Sequence, residues 1–128
     1  LEKEVELFVP AKVEIFELSA GASTDILYTY VATLQAAAIY PRILIFRFRQ
    51  IVQANRYDAF VLDKIITRLA ARNIRVLLSD VDPELERQMK KMGLMKKVHG
   101  EIAFRTIEEA VKRAEALLTE NEESHSKR

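Results

Sequence analysis

Two carboxylates spaced one residue apart, Asp80 and Asp82, follow the apolar run Ile74–Leu78. Acids gathered at the carboxyl end of a strand can hold a divalent cation, because a hard cation needs several oxygen ligands at one point. Such a site in an alternating β/α chain needs a further acidic pair after the first strand, and the first crossover segment carries only Asp25. The count fails, which leaves Asp82 as a helix cap and Asp80 as a solvated turn residue. A second set of groups is the small, hydroxyl-rich stretch Ser19-Ala20-Gly21-Ala22-Ser23-Thr24, directly before a helix. Free N–H groups at a helix start favour anions, so Ser19, Gly21, Ser23 and Thr24 form a candidate ligand or anion loop. It lacks the lysine and the glycine spacing of a phosphate-binding loop, and the alternative reading is an ordinary cap. The third set is Asn55-Arg56-Tyr57-Asp58. Arg and Tyr are the residue types that anchor contacts with partners, and a position between elements leaves them accessible. Two arrangements stay open for Tyr57: facing a partner, or folded back on the end of the sheet.

The remaining chemistry-bearing residues carry blander readings. Arg47 and Arg49, leaving a strand, are expected to pair with acids. Lys90, Lys91, Lys96 and Lys97 make a local basic cluster, either a solvated face or a contact with headgroups or an acidic partner. Met89, Met92 and Met95 are read as core. No nucleophile has a base at workable spacing, so no catalytic residue is assigned and the chain is not read as an enzyme. His99 and His125 are too few and too far apart for a metal site, and the absence of cysteine removes thiolate ligands, disulfides and redox pairs. No metal or other cofactor is implied.

With 128 residues and 49% hydrophobic content, the chain is sized for one domain with a substantial core. Twenty basic against nineteen acidic residues leave a net charge of +1, too weak a field to draw nucleic acid non-specifically. No stretch approaches the roughly 18–20 consecutive apolar residues of a membrane helix. The cysteine-free composition fits a reducing compartment, and a start at Leu1 rather than Met suggests a piece of something longer.

The elements that must position these groups follow from periodicity. Val5–Val9 and Val13–Leu18 alternate with Glu and read as two strands joined tightly at Pro10-Ala11, an antiparallel hairpin. Ile26, Tyr30, Leu34 and Ala37 then recur at helical spacing, with Ser23 or Thr24 as cap and Pro41 as stop. Arg42–Arg49 is a strand buried on both faces. Leu62, Ile65, Ile66 and Leu69 mark the inner face of a helix starting between Asn55 and Ala59, with Asp63, Lys64, Arg68 and Arg72 outward. Ile74–Leu78 is another buried strand. Pro83 opens a helix with Leu85, Met89 and Met92 inward, which Gly93 ends. Ile102–Phe104 is a short last strand, and Thr106 with Glu109 forms a capping box on a helix through Leu118, with Ile107, Val111, Ala114 and Leu118 inward. Residues 1–118 thus form a single α/β domain: a sandwich with a mainly parallel central sheet, an N-terminal antiparallel hairpin and about four helices, followed by a polar tail over 119–128. Functional groups are expected at the carboxyl ends of the strands: Ser19–Asp25, Gln50–Asp58 and Ser79–Asp82.

The order and spacing of RILIFRFR before a helix, NIRVLLSDVDPELERQMKKMGL, and EIAFRTIEEAVKRAEAL resemble a STAS domain, in the version found at the cytoplasmic C-terminus of SulP anion transporters, over roughly Val5–Leu118. Family members carry Asp-x-Ser/Thr-Gly at the start of the second helix, where kinases phosphorylate the hydroxyl in anti-sigma-factor antagonists. The matching stretch has Asn55 for the acid, Tyr57 for the hydroxyl residue and Asp58 for the glycine, a degenerate phosphoswitch. The segment Ser19–Asp25 lacks the glycine and paired phenylalanines usual in transporter members.

The resemblance implies a regulatory and interaction module of a SulP-type sulphate or other anion transporter, on the cytoplasmic side of the inner membrane. Its partners would be the membrane domain of the same transporter, a second copy of the domain or a cytosolic regulatory protein, with docking around Asn55, Arg56, Tyr57 and Asp58. The alternatives are a stand-alone anti-sigma-factor antagonist-like or stressosome-like signalling protein and, more weakly supported, a nucleotide- or anion-sensing module using the Ser19–Thr24 loop.

Overall fold

The structure, a computed structural model, describes residues 8–18, 24–37, 41–48, 56–81, 83–91, 93 and 102–126, with backbone alone for 24–27, 35, 56–61, 85, 88 and 121–126. Its elements are β1 (Val13–Glu17), α1 (Thr24–Ala36), β2 (Ile43–Arg47), α2 (Arg56–Ala70), β3 (Arg75–Ser79), α3 (Pro83–Lys91) and α4 (Ile107–Ser126). The strands form one parallel sheet in the order β1-β2-β3. Val13, Ile43 and Arg75 stand level at one end and Glu17, Arg47 and Ser79 at the other. This register gives the sheet two flush edges. Ile102–Phe104 adds a single parallel bridge between Ala103 and Leu78 on the far side of β3, not a full strand.

Both faces of β2 are covered. Ile43, Leu44, Ile45 and Phe46 are all buried although successive side chains point opposite ways. Right-handed crossovers put α1 and α2 on one face. Phe16 and Phe46, level partners across β1 and β2, mark that face: the Phe16 ring lies 4.1 Å from Tyr30 of α1 and 6.2 Å, edge-on, from Phe46. α4 also packs on β2 and β3. The Tyr30 hydroxyl is buried without a hydrogen-bond partner among the described residues. Burial pushes its pKa up, and the carboxylate of Glu14, two residues before Phe16 on the same face, adds to the rise.

Local signals account for most boundaries. α2 carries the expected inner face, with Leu62, Ile65, Ile66 and Leu69 all buried. It ends in a Schellman turn: Asn73 sits at φ +63°, its N–H donates to the Ala70 carbonyl at 3.0 Å, and the Ile74 N–H donates to the Leu69 carbonyl at 2.9 Å. The buried pair Leu69 and Ile74 supplies the turn's apolar contact and feeds the chain into β3. α3 starts at Pro83, and Gly93 at φ +81° follows its end. At the start of α4 the Glu109 N–H donates to Thr106 Oγ1 at 3.2 Å, and the Thr106 hydroxyl lies 3.2 Å from Glu109 Oε1.

Some expectations need adjusting. The first strand of the N-terminal hairpin falls mostly outside the described residues; Phe8–Pro10 are not strand, although the tight turn is present, with the Val13 N–H donating to the Pro10 carbonyl at 3.0 Å. α4 runs eight residues past Leu118 to Ser126, because nothing from Ile107 to Ser126 is Gly or Pro. Leu117 and Ala110 are buried on it, while Leu118 is only half-buried. Val31 joins Leu34 in the inner face of α1.

Tyr30 generates a stability prediction. Its raised folded-state pKa means that above the ordinary tyrosine value of about 10 the unfolded chain releases a proton which the folded chain retains. Stability from this group is therefore intact below pH 10 and declines above it. In paired urea titrations between pH 8 and 11.5, Tyr30→Phe should be at least as stable as the parent at pH 8, since a buried unpaired hydroxyl is removed, and should lose less stability above pH 10.

Candidate functional site

The carboxyl edge of the sheet is where the chain collects its polar chemistry. All three strands end there in register, and α1, α2 and α3 follow them in the chain. The edge is held by backbone bonds from one strand end to the next. The Leu18 N–H donates to the Arg47 carbonyl at 2.8 Å, the Phe48 N–H to the Ser79 carbonyl at 2.9 Å, and the Val81 N–H to the Phe104 carbonyl at 3.1 Å.

At the centre of this edge Arg47, the last residue of β2, donates from Nε to Asp80 Oδ2 at 2.9 Å. The Ser79 hydroxyl donates to the same oxygen at 3.0 Å, and Ser79 is fully buried. Asp80 adopts φ +58°, a left-handed conformation that Asp tolerates better than most residues. That backbone turn aims its carboxylate back across the end of β3 onto Arg47. The expectation that Arg47 pairs with an acid is met. Asp80 is not the solvated turn residue that its sequence context suggested: its side chain is only 20% exposed, because two donors on two strands hold it down.

In this cluster the Ser79 hydroxyl and the Arg47 Nε–H converge on one oxygen, Asp80 Oδ2. The Ser79 hydroxyl is buried and spent on Asp80, and Asp80 is spent on Arg47. No group of three acids or histidines that could hold a metal ion occurs among the described residues. The arrangement is a brace that fixes the shape of the edge.

Four of the sequence-derived site residues have a described backbone. Arg56, Tyr57 and Asp58 form the first turn of α2, and Thr24 is the first residue of α1, so their backbones lie at the carboxyl edge. Asn55, Ser19, Gly21, Ser23, Asp82 and His99 lie outside the described residues. Ser79 lies in the segment Ser79–Asp82 where functional groups are expected; its bond to Asp80 is the part that the sequence does not announce.

No family model matches the chain, and no curated protein sequence matches it. Solved structures do. A sulfate transporter family protein from Wolinella succinogenes superposes with a TM-score of 0.77 at 23% identity, over 88% of this chain and 93% of that one. The SulP transporter STAS domain from Vibrio cholerae gives 0.74 at 22% identity, over 90% and 88%. The chain has the STAS fold. A structure of the stressosome, a signal integration and transduction hub, matches with a TM-score of 0.66 at 13% identity, over 87% and 96%. The STAS fold accounts for the β/α order and the parallel sheet, and it directs attention to the carboxyl edge and the first turn of α2.

The brace is testable by stability. Asp80→Asn keeps the tolerance for left-handed backbone and removes the charge, so it should cost about 1–2 kcal/mol; Asp80→Ala, which also strains the turn, should cost about 2–3 kcal/mol. A double-mutant cycle with Arg47→Gln, read by urea denaturation, should return a favourable coupling near 1 kcal/mol. A coupling indistinguishable from zero would show that the pair merely coexists.

Proposed function

We propose that this chain is the regulatory and protein-interaction STAS domain of a SulP-type anion transporter, placed on the cytoplasmic side of the membrane that carries the transporter. The observation that carries the reading is the superposition over nearly nine-tenths of the chain with two domains of that transporter class. Supporting it, no helix among the described residues is long and apolar enough to cross a membrane, so this part of the chain supplies no transmembrane path. The Arg47–Asp80–Ser79 brace offers a rigid edge and no reaction centre.

In this reading the domain acts by docking. The first turn of α2, with Arg56, Tyr57 and Asp58, meets the transporter's membrane domain, a second copy of the domain or a cytosolic regulator, and so alters flux. Arg and Tyr at a helix start are suited to this, since both are enriched among the residues that anchor interfaces and both carry donors. Asn55 and Tyr57 in place of the acid and small hydroxyl residue of the phosphoswitch make docking independent of serine/threonine phosphorylation. A stand-alone anti-sigma-antagonist-like protein is the second reading, favoured by the likeness to the stressosome structure.

The gene's reading frame upstream of the Leu1 codon separates the two: continuation into a series of apolar segments supports the transporter reading, and a start codon immediately before Leu1 overturns it. With the full-length protein, labelled-sulphate uptake in cells should fall about threefold or more in Arg56→Ala and Tyr57→Ala at equal surface level, since anchor residues dominate a docking interface. Unchanged uptake in both variants would overturn docking through this turn.

A further inference from the structure

The opposite, amino edge of the sheet holds a cleft of about 610 Å³, within the size range of small-molecule sites. It wraps round the strand ends from the carboxyl-terminal half of α2, at Ile66, to that of α4, at Leu117, with Ile43 and Ile74 between them. All four of these residues are buried members of the core, so the floor is apolar. The rim carries Arg42, Arg75, Asp63 and Glu120. Asp63 and Arg75 already have partners, and Glu120 lies 3.7 Å from Arg113. The carbonyls at the end of α2 are occupied too, since Leu69 and Ala70 accept from the Schellman turn. Arg42 differs. Its backbone is bound on both sides, its N–H donating to the Lys12 carbonyl and its carbonyl accepting from the Arg75 N–H, yet the side chain of this half-buried residue has no acid within ion-pair distance among the described residues.

At the mouth of an apolar cleft, Arg42 offers a guanidinium that no acid among the described residues pairs, and so a place for a partner from outside. An external anion supplies that partner, and the planar fork of Arg suits a carboxylate or phosphate. We propose that this cleft binds a soluble amphiphilic anion, a carboxylate or phosphate head on Arg42 with an aliphatic body lying along Ile43, Ile66 and Leu117. The site lies at the other end of the strands from the proposed docking turn and stands independently of it.

The test is titration of the whole chain with decanoate below its micellar range, followed by amide chemical shifts in nitrogen-15 NMR, with decanol and acetate as separate arms. Decanoate should move the amides of Arg42, Ile43, Thr67 and Leu117 saturably, with decanol and acetate each at least tenfold weaker. Arg42→Gln should weaken decanoate at least tenfold, and Arg42→Lys should weaken it less; both change a partly exposed residue just before β2, and their unperturbed spectra away from the cleft confirm the fold. Equal binding by parent and Arg42→Gln, decanol binding as well as decanoate, or no shift at the four amides would each overturn the proposal. A last arm uses phosphatidylcholine vesicles with and without phosphatidylglycerol: sedimentation with the anionic vesicles and no response to decanoate would assign Arg42 to a bilayer surface and overturn a soluble ligand.

Discussion

Everything else in the molecule depends on the middle strand being buried on both sides. Leu44, Ile45 and Phe46 have no exposed surface, so β2 can exist only between two layers, and its neighbours must pair with it in parallel to leave room for the helices that cover it. Burying three such side chains contributes on the order of 5–8 kcal/mol relative to leaving them in water, a large share of what a domain of this size retains after the entropy of ordering. The level register of β1, β2 and β3 follows from the same constraint. A slip by one residue would exchange Phe46 and Ile45 between faces shaped for different side chains, and would separate Phe16 from Phe46.

A level parallel sheet has two chemically different ends. At the carboxyl edge the chain leaves each strand and must turn into a helix, which brings positive backbone conformation, helix starts and long connections together. At the amino edge helices finish and strands begin, and the chain turns tightly, as at Pro10–Val13 and in the Schellman turn at Asn73. The first edge is stiffened at one point by Arg47, Asp80 and Ser79. The second is a gap between helix ends, roofed by nothing that the described residues provide and bounded by Arg42.

How much of this was legible in the sequence depends on the range of the interaction. The inner face of α2, the start of α3 at Pro83, the stop at Gly93 and the capping box at Thr106 are each set by residues within one or two turns, and each appears where periodicity and cap chemistry put it. The pairing of Arg47 with Asp80 spans 33 residues and exists only because β2 and β3 end level with each other. Reading Asp80 alone therefore gave a solvated turn. Leu117 and Leu118 illustrate an intermediate case: a strict helical step from Ala114 selects Leu118, but the contact surface offered by β2 and β3 is broad enough to take Leu117 instead. The amino-edge cleft had no signature at all, since it arises from where α2 and α4 happen to end relative to the strands.

The positions that depart from ordinary backbone geometry separate structure from function. Asn73 and Asp80 are both non-glycine residues near φ +60°, yet their consequences differ. Asn73 closes a helix with two backbone bonds and an apolar contact, so its conformation is fully accounted for by the passage from α2 into β3. Asp80 is held by side chains from two strands, and removing its charge would leave Arg47 half-buried and unmatched at the centre of the edge from which α2 departs. A docking surface needs this kind of support, because loops that carry contact residues give up affinity to ordering unless the scaffold beneath them is already fixed. The brace is thus a structural device: it ties the end of β2 to the end of β3 and fixes the edge from which the chain leaves toward α2 and α3.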